Sequence, residues 1–291
     1  MGDALLIFET DAGIGLAVCV ASEVAREAAS RHKLGPGSGA ALGQALAGAL
    51  LIAGTDGTRV DVQLECAGPL RGFLVDADAT GAVRGLVRVA DLGAGEGRFD
   101  PRPLLATRFD ERAGVLSILR AEPGSESPHR AVFPFAGANL GAALTFYLRS
   151  ERAESGGEMA LEVLFGEGGP LVAGALLFGD AAALGKQLRK TALHEAMLRA
   201  GAAEEISREL AKTFKLGALR LLRELAPRFA CRCSRERVVH ALKTLGAAEL
   251  RDMALKDGGA SATCEFCVAS YHITAEELLQ LAERTSAGRT T

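Results

Sequence analysis

Hydrophobic and polar positions follow two periods along this chain, and the switches between them predict its elements. Residues 3–9 and 14–20 are apolar runs flanking the turn Asp11-Ala-Gly13, which predicts a strand pair. Residues 21–33 have helical composition, and Gly35-Pro36-Gly37 closes that helix. Residues 38–53 form an Ala/Leu/Gly stretch whose small residues predict a helix packed closely on most sides. Residues 59–65 alternate with period two, as a half-buried strand does. Gly68-Pro69 follows, then strands at 71–76 and 82–89 around the turn Asp78-Ala-Thr-Gly81. Residues 91–103, rich in Gly, Asp, Arg and Pro, read as a loop. Strands follow at 115–119 and 131–135, and Asn139 is placed to cap a helix running to about residue 152. After the break at Gly156-Gly157, strands at 159–165 and 171–178 complete the sheet.

From there the period becomes helical. Residues 180–225 read as a long helical region capped by Asp180, with the stripe Ile206, Leu210, Phe214, Gly217, Leu221 and Leu225 on one face. Pro227 ends it. Short helices at 235–245 and 247–255, split by Gly246, precede a turn at 256–261. Thr274 caps a last helix through about residue 282, and the tail from Ser286 is expected to fray. The fold class is therefore α+β: an N-terminal mixed sheet domain packed with helices over 1–179, a helical linker over 180–227, and a small C-terminal domain over 228–291.

Composition narrows the function. With 48% hydrophobic and 24% charged residues among 291, a sizeable core forms and wholesale disorder is excluded. A net charge of −3 with mixed signs argues against a nucleic-acid partner held by a basic surface, and two tyrosines without tryptophan leave little to stack on bases. The N-terminus has no basic region ahead of an apolar one, and Leu6 stands where an acylation signal needs Ser or Thr. The apolar run at 40–53 is broken by Gln44 and falls short of the roughly 20 residues of a membrane helix. A cytoplasmic, membrane-free protein is expected, and in that compartment cysteine clusters bind metal or do redox work.

Catalytic motifs are missing. Gly93-Ala-Gly95-Glu-Gly97 has the wrong spacing for a dinucleotide site, and the run from Gly179 to Gln187 is one residue too long for a phosphate loop. His32, His129 and His194 have no matching nucleophile, and Glu195, Glu204, Glu205 and Glu209 read as solvated helix faces. The expectation is that this is not an enzyme. Cys19 and Cys66, in apolar strands, read as inert core residues.

The other four cysteines carry the chemistry: Cys231-Arg-Cys233 and Cys264-Glu-Phe-Cys267. A short pair on each of two turns suits one tetrahedral zinc ion per chain, with Cys231, Cys233, Cys264 and Cys267 as ligands. Four sulfurs leave no vacancy for His240 or His272. Arg232, Arg235 and Arg237 are cationic neighbours that would favour thiolate, or the exposed face of a helix whose N-cap is Ser234. Two roles fit such a site. A closed zinc can simply fold its module in a constitutive interaction protein, or oxidation of the thiolates can destroy the site and act as a switch. A thioredoxin-like enzyme fits less well, because the C-x-x-C here follows a turn.

The run from Phe229 through Cys231, Cys233, Ser234, Arg235 and Glu236 to Arg237 resembles the zinc motif of the redox-regulated heat-shock protein 33 chaperones. So do Ala241 to Gly246, the second cysteine pair and Tyr271, and, upstream, Gly68-Pro69-Leu70 and Val83-Arg84-Gly85. Ser150-Glu151-Arg152, Lys256, Val268 and His272-Ile273 depart from the family pattern without removing a cysteine. The resemblance implies an ATP-independent holdase that binds unfolded clients under oxidative stress and promotes their refolding. It also implies disulfides Cys231–Cys233 and Cys264–Cys267 with zinc release in the oxidised form, a homodimer in that form, and a linker that docks on the sheet domain when reduced.

Overall fold

The structure is a computed structural model and describes residues 2–106, 114–125, 127–135, 139–151 and 156–287. The expected helix end at residue 152 and most of the tail lie outside the described residues. The chain divides into two compact units, residues to 230 and residues from 231.

The first unit opens with β1 (Ala4–Thr10) and β2 (Gly15–Val20), antiparallel around a turn where Gly13 takes a φ of +71°. Helices α1 (Ser22–His32) and α2 (Pro36–Asp56) follow. Strands β3 (Arg59–Cys66), β4 (Gly72–Ala77) and β5 (Ala82–Val87) come next, then a single turn α3 (Arg102–Leu105) inside the expected loop. Strands β6 (Gly114–Ala121) and β7 (His129–Phe135) precede α4 (Leu140–Glu151), where Ala142 N–H donates to Asn139 Oδ1 at 2.9 Å, the expected cap. Strands β8 (Glu158–Gly166) and β9 (Gly169–Phe178) form the last hairpin.

Downstream, the structure corrects the sequence reading. The expected helix over 180–225 is α5 (Gly185–Gln187), a π-helical turn (Leu188–Ala192), α6 (Leu193–Arg199) and α7 (Ala203–Phe214), followed by a strand, β10 (Leu219–Leu225). Asp180 caps nothing, since the first helical turn begins after Leu184. The helix ends at Lys215, which is left-handed at φ +55°, and Gly217 is at φ +79°. The stripe misled for a simple reason: a spacing of four is close to one helical turn but is also two full strand periods. Ile206 and Leu210 are buried helical positions, whereas Leu221 lies opposite Phe8 in a β-ladder.

Two sheets result, in the orders β10-β1-β2-β9-β8 and β11-β5-β4-β3-β6-β7, where β11 is Arg228–Phe229. Helix α2 packs against strands of both. A Cβ on Gly43 would come within 3.0 Å of Val172, and one on Gly48 within 2.7 Å of Leu144, so the small residues of α2 permit the close approach. Helix α2 is long and apolar enough to cross a membrane by length and composition, more than its apolar run alone indicated, but 94% of that window is buried in the core. Alternation along β1 and β2 sorts side chains between two cores. Leu5, Ile7, Ala17 and Cys19 face α2, while Leu6, Phe8, Leu16 and Val18 face α6 and α7. Both faces of the first sheet are therefore covered by helices.

The second unit contains α8 (Arg235–Lys243), α9 (Ala247–Asp252), a π-helical turn (Met253–Asp257), β12 (Gly259–Thr263), β13 (Ser270–Thr274) and α10 (Ala275–Ala287). The β12–β13 hairpin lies where only a turn and the second cysteine pair were expected. Its core is small: Leu250, Ala254, Ile273, Leu278, Leu281 and Ala282.

Candidate metal centre

Each cysteine pair sits on a loop stabilised from within. Cys231 and Cys233 lie in the extended stretch before α8, and Ser234 caps that helix by accepting from Arg237 N–H at 3.3 Å. Cys264 and Cys267 occupy the connection of the β12–β13 hairpin. There Val268 N–H donates to Cys264 C=O at 2.9 Å, and Cys264 N–H donates to Ala269 C=O at 2.9 Å. Val268 is held at φ +61°, a conformation costly for a β-branched residue and a sign that the loop geometry is imposed.

The loops meet sulfur to sulfur. Cys231 Sγ lies 3.6 Å from Cys264 Sγ, and Cys233 Sγ lies 3.2 Å from Cys267 Sγ. All four sulfurs fall within 4.8 Å of one another. Four thiolates around zinc at about 2.3 Å stand about 3.8 Å apart, so the donor set fits a tetrahedral ion of that size. Burial, followed by contacts with the other sulfurs, pushes the Cys267 thiol up to about 12. Without a cation among them, crowded thiols resist ionisation; a bound divalent ion would reverse that.

Arg235 and Arg237 are exposed on α8, as the helix-face reading of these arginines expected. Arg235 and Arg237 do not turn toward the sulfurs. Arg235 Nη2 donates to both Glu277 oxygens, at 2.8 and 2.7 Å, and to His272 C=O at 3.2 Å. Arg237 Nη1 donates to Arg232 C=O at 2.9 Å. These guanidiniums tie the module together. Thr274 and Glu277 form a reciprocal cap at the start of α10, and the Thr274 N–H, followed by Arg235, holds the Glu277 carboxyl below its ordinary range. The spacing Thr274-x-x-Glu277 makes that cap readable in the sequence; the reach of Arg235 to it is not. Tyr271, on β13, donates from Oη to Cys233 Sγ at 3.0 Å, and that bond is the main reason its hydroxyl is pushed up to about 12.

His272 Nδ1 lies 3.2 Å from Ser261 Oγ, and among the described residues neither His240 nor His272 joins the sulfur cluster. Cys19 and Cys66 are buried in the first unit, as expected. Glu204, exposed, pairs with Arg208 at 2.6 Å, and the partly buried Glu209 pairs with Arg199 at 3.2 Å.

Fold and site together define a two-unit α+β protein with a compact four-cysteine centre that could hold a metal ion. The Hsp33 protein family model matches residues 3–274. The chain is 33% identical over 293 residues to the 33 kDa chaperonin of Rippkaea orientalis, covering 93% of each. It is 35% identical over 292 residues to that of Nostoc punctiforme, covering 93% of this chain and 92% of the relative. The fold matches the crystal structure of the 33 kDa chaperonin of Thermotoga maritima with a TM-score of 0.75 at 20% identity, covering 99% of this chain and all of that one. The chain belongs to the Hsp33 family of chaperones.

Proposed function

We propose that this chain is an ATP-independent, redox-regulated holdase of the cytoplasm, with unfolded proteins as clients and no catalytic activity of its own. The observation that carries the reading is the convergence of Cys231, Cys233, Cys264 and Cys267 within 4.8 Å. In the reduced form these four residues would hold one zinc ion. When bound, that ion supplies the charge that keeps four adjacent sulfurs ionised and ties two loops to one point.

The remainder follows from the chain's own residues. Oxidation pairs Cys231 with Cys233 and Cys264 with Cys267. Each thiolate pair gives up two electrons, and one peroxide molecule takes these with two protons from solvent to become two waters. Sulfurs so bonded would no longer be thiolate ligands and could not hold the metal. The six-residue core of the second unit is then too small to keep the module folded. The division into 1–179, 180–227 and 228–291, with the middle part loosening on oxidation, belongs to this proposal, as does homodimerisation of the oxidised form. Leu221 and Leu222 on β10, both about half exposed, are apolar positions on the middle part that a client could meet.

The test combines zinc content and thiol count before and after hydrogen peroxide with light scattering of a heat-denatured client. The expected result is loss of zinc and four thiols together with suppressed aggregation. A site inert to peroxide would favour the constitutive structural module instead. Zinc loss without client protection would refute the switch.

A further inference from the structure

Tyr271 is absorbed by neither the fold nor the ligand set, yet its hydroxyl hydrogen is spent on a sulfur. Its Oη lies 3.0 Å from Cys233 Sγ, within hydrogen-bonding range for a donor to thiolate. The ring is carried by β13, whose register with β12 places Tyr271 opposite Ala262, so the donor sits on a hairpin rather than on the C-x-C loop itself. The tie between Arg235 and Glu277 anchors the residue after Ser234 to the start of α10, and this fixes the loop that presents Cys233.

We propose that Tyr271 is a positioning residue that sets the oxidation rate of Cys233, its hydroxyl drawing electron density from that sulfur and slowing attack on an oxidant. The inference rests on the reading of the four cysteines as an oxidant-sensitive metal centre. In the step concerned, a sulfur lone pair attacks one oxygen of hydrogen peroxide and the O–O bond breaks. The leaving hydroxide takes up a proton to become water, and the sulfur becomes a sulfenic acid. A second thiol then attacks that sulfur, an S–S bond forms and a second water leaves. Negative charge leaves the sulfur as the S–O bond forms, so a hydrogen bond to that charge is stronger before the attack than during it. Charge-assisted hydrogen bonds are among the stronger ones, and thiolate attack expresses about half of the charge change in its transition state, so removing the donor should accelerate Cys233 roughly four- to twelvefold.

The test uses the full chain, reduced and zinc-loaded, with Tyr271→Phe against wild type and Arg235→Ala as a control that loosens the same loop without removing the hydroxyl. Iodoacetamide labelling over time, read by mass spectrometry at each cysteine, gives four separate rates, and peroxide oxidation read the same way gives a second set. Tyr271→Phe is expected to raise the Cys233 rate by that factor while Cys231, Cys264 and Cys267 change less than about twofold; Arg235→Ala is expected to move all four together. An unchanged Cys233 rate in Tyr271→Phe overturns the proposal. So does a uniform rise at all four, with or without zinc loss, because the hydroxyl would then only be holding the fold. Wild-type zinc content separates this outcome from failure of the underlying reading: without zinc at one per chain the proposed function falls and this inference falls with it, whereas at one zinc per chain the Cys233 rate decides this inference alone.

Discussion

Metal removal under reducing conditions should melt the second unit and leave the first intact. The second unit orders the described residues from 231 to 287 around Leu250, Ala254, Ile273, Leu278, Leu281 and Ala282. Fixing each residue's backbone costs roughly 1–2 kcal/mol, so a core of four large side chains and two alanines leaves a module of this length with little margin. A four-thiolate zinc site contributes about 10–16 kcal/mol of apparent binding free energy near neutral pH, and a typical domain has a net stability of only about 5–15 kcal/mol. A zinc ion bound as proposed would therefore be worth about as much as the whole stability of the module, and chelation should bring it to zero or below. The first unit has its own cores on both faces of the β1–β2 sheet and contains no part of the sulfur cluster. Hydrogen exchange with and without a strong chelator, with the thiols kept reduced, is the assay. Amides of β12, β13 and α10 should lose protection by orders of magnitude, while those of α2 and β3 should keep theirs. Retained protection in β12–β13 after complete metal removal would show that Arg235, Glu277 and the small core suffice, and the argument from core size would be wrong.

Other expectations follow. Glu158 is 1% exposed and accepts from Arg149 and, at 2.7 Å, from Arg189; Glu158→Ala leaves both cations without their carboxylate and should cost about 3–5 kcal/mol in denaturant unfolding of the first unit. Gly48→Leu pushes a side chain against Leu144 and Leu161 between α2, α4 and β8, and should lower stability by about 1–3 kcal/mol, read as a lower Tm. Complete burial pushes the Cys19 thiol well above its ordinary range, so raising the pH to 8 leaves it protonated. Iodoacetamide should label Cys19 only after denaturation, and peroxide should lower the thiol count of the native chain from six to two.

Legibility followed the range of the interactions. The first strand pair was readable because two short apolar runs around a turn are a local signal; the runs are continuous because both faces are buried, Leu5 and Ile7 in one core and Leu6 and Phe8 in the other. Helix α2 was readable from composition, although its apolar window concealed that both flanking sheets are needed to bury it. The β10 strand was not readable. Leu219, Leu221 and Leu225 fit a strand as well as a helix, and what decides between them is a partner, β1, more than two hundred residues earlier in the chain. The β12–β13 hairpin was hidden for a related reason. Gly259-Ala-Ser-Ala-Thr263 has little hydrophobic pattern, and its strand character comes from pairing with 270–274 across the cysteine turn.

The site divides along the same line. Candidate ligands are legible in short spacings, since two sulfurs two or three residues apart on one turn readily reach one point, so Cys231 with Cys233 and Cys264 with Cys267 could be named as candidates without coordinates. The contacts around those sulfurs come from residues distant in sequence. Tyr271 reaches Cys233 across 38 positions and Arg235 reaches Glu277 across 42. Arg235 and Arg237 show the limit of reading charge from sequence proximity, because both lie just after the first cysteine pair yet donate to groups other than the sulfurs. Substitutions at such long-range contacts can therefore change how readily the centre oxidises while all four ligands stay in place. Relatives with identical cysteine spacing should differ most in oxidant sensitivity where the residue at the position of Tyr271 has lost its hydroxyl, and a comparison of peroxide-driven zinc release rates among such relatives would show whether they do.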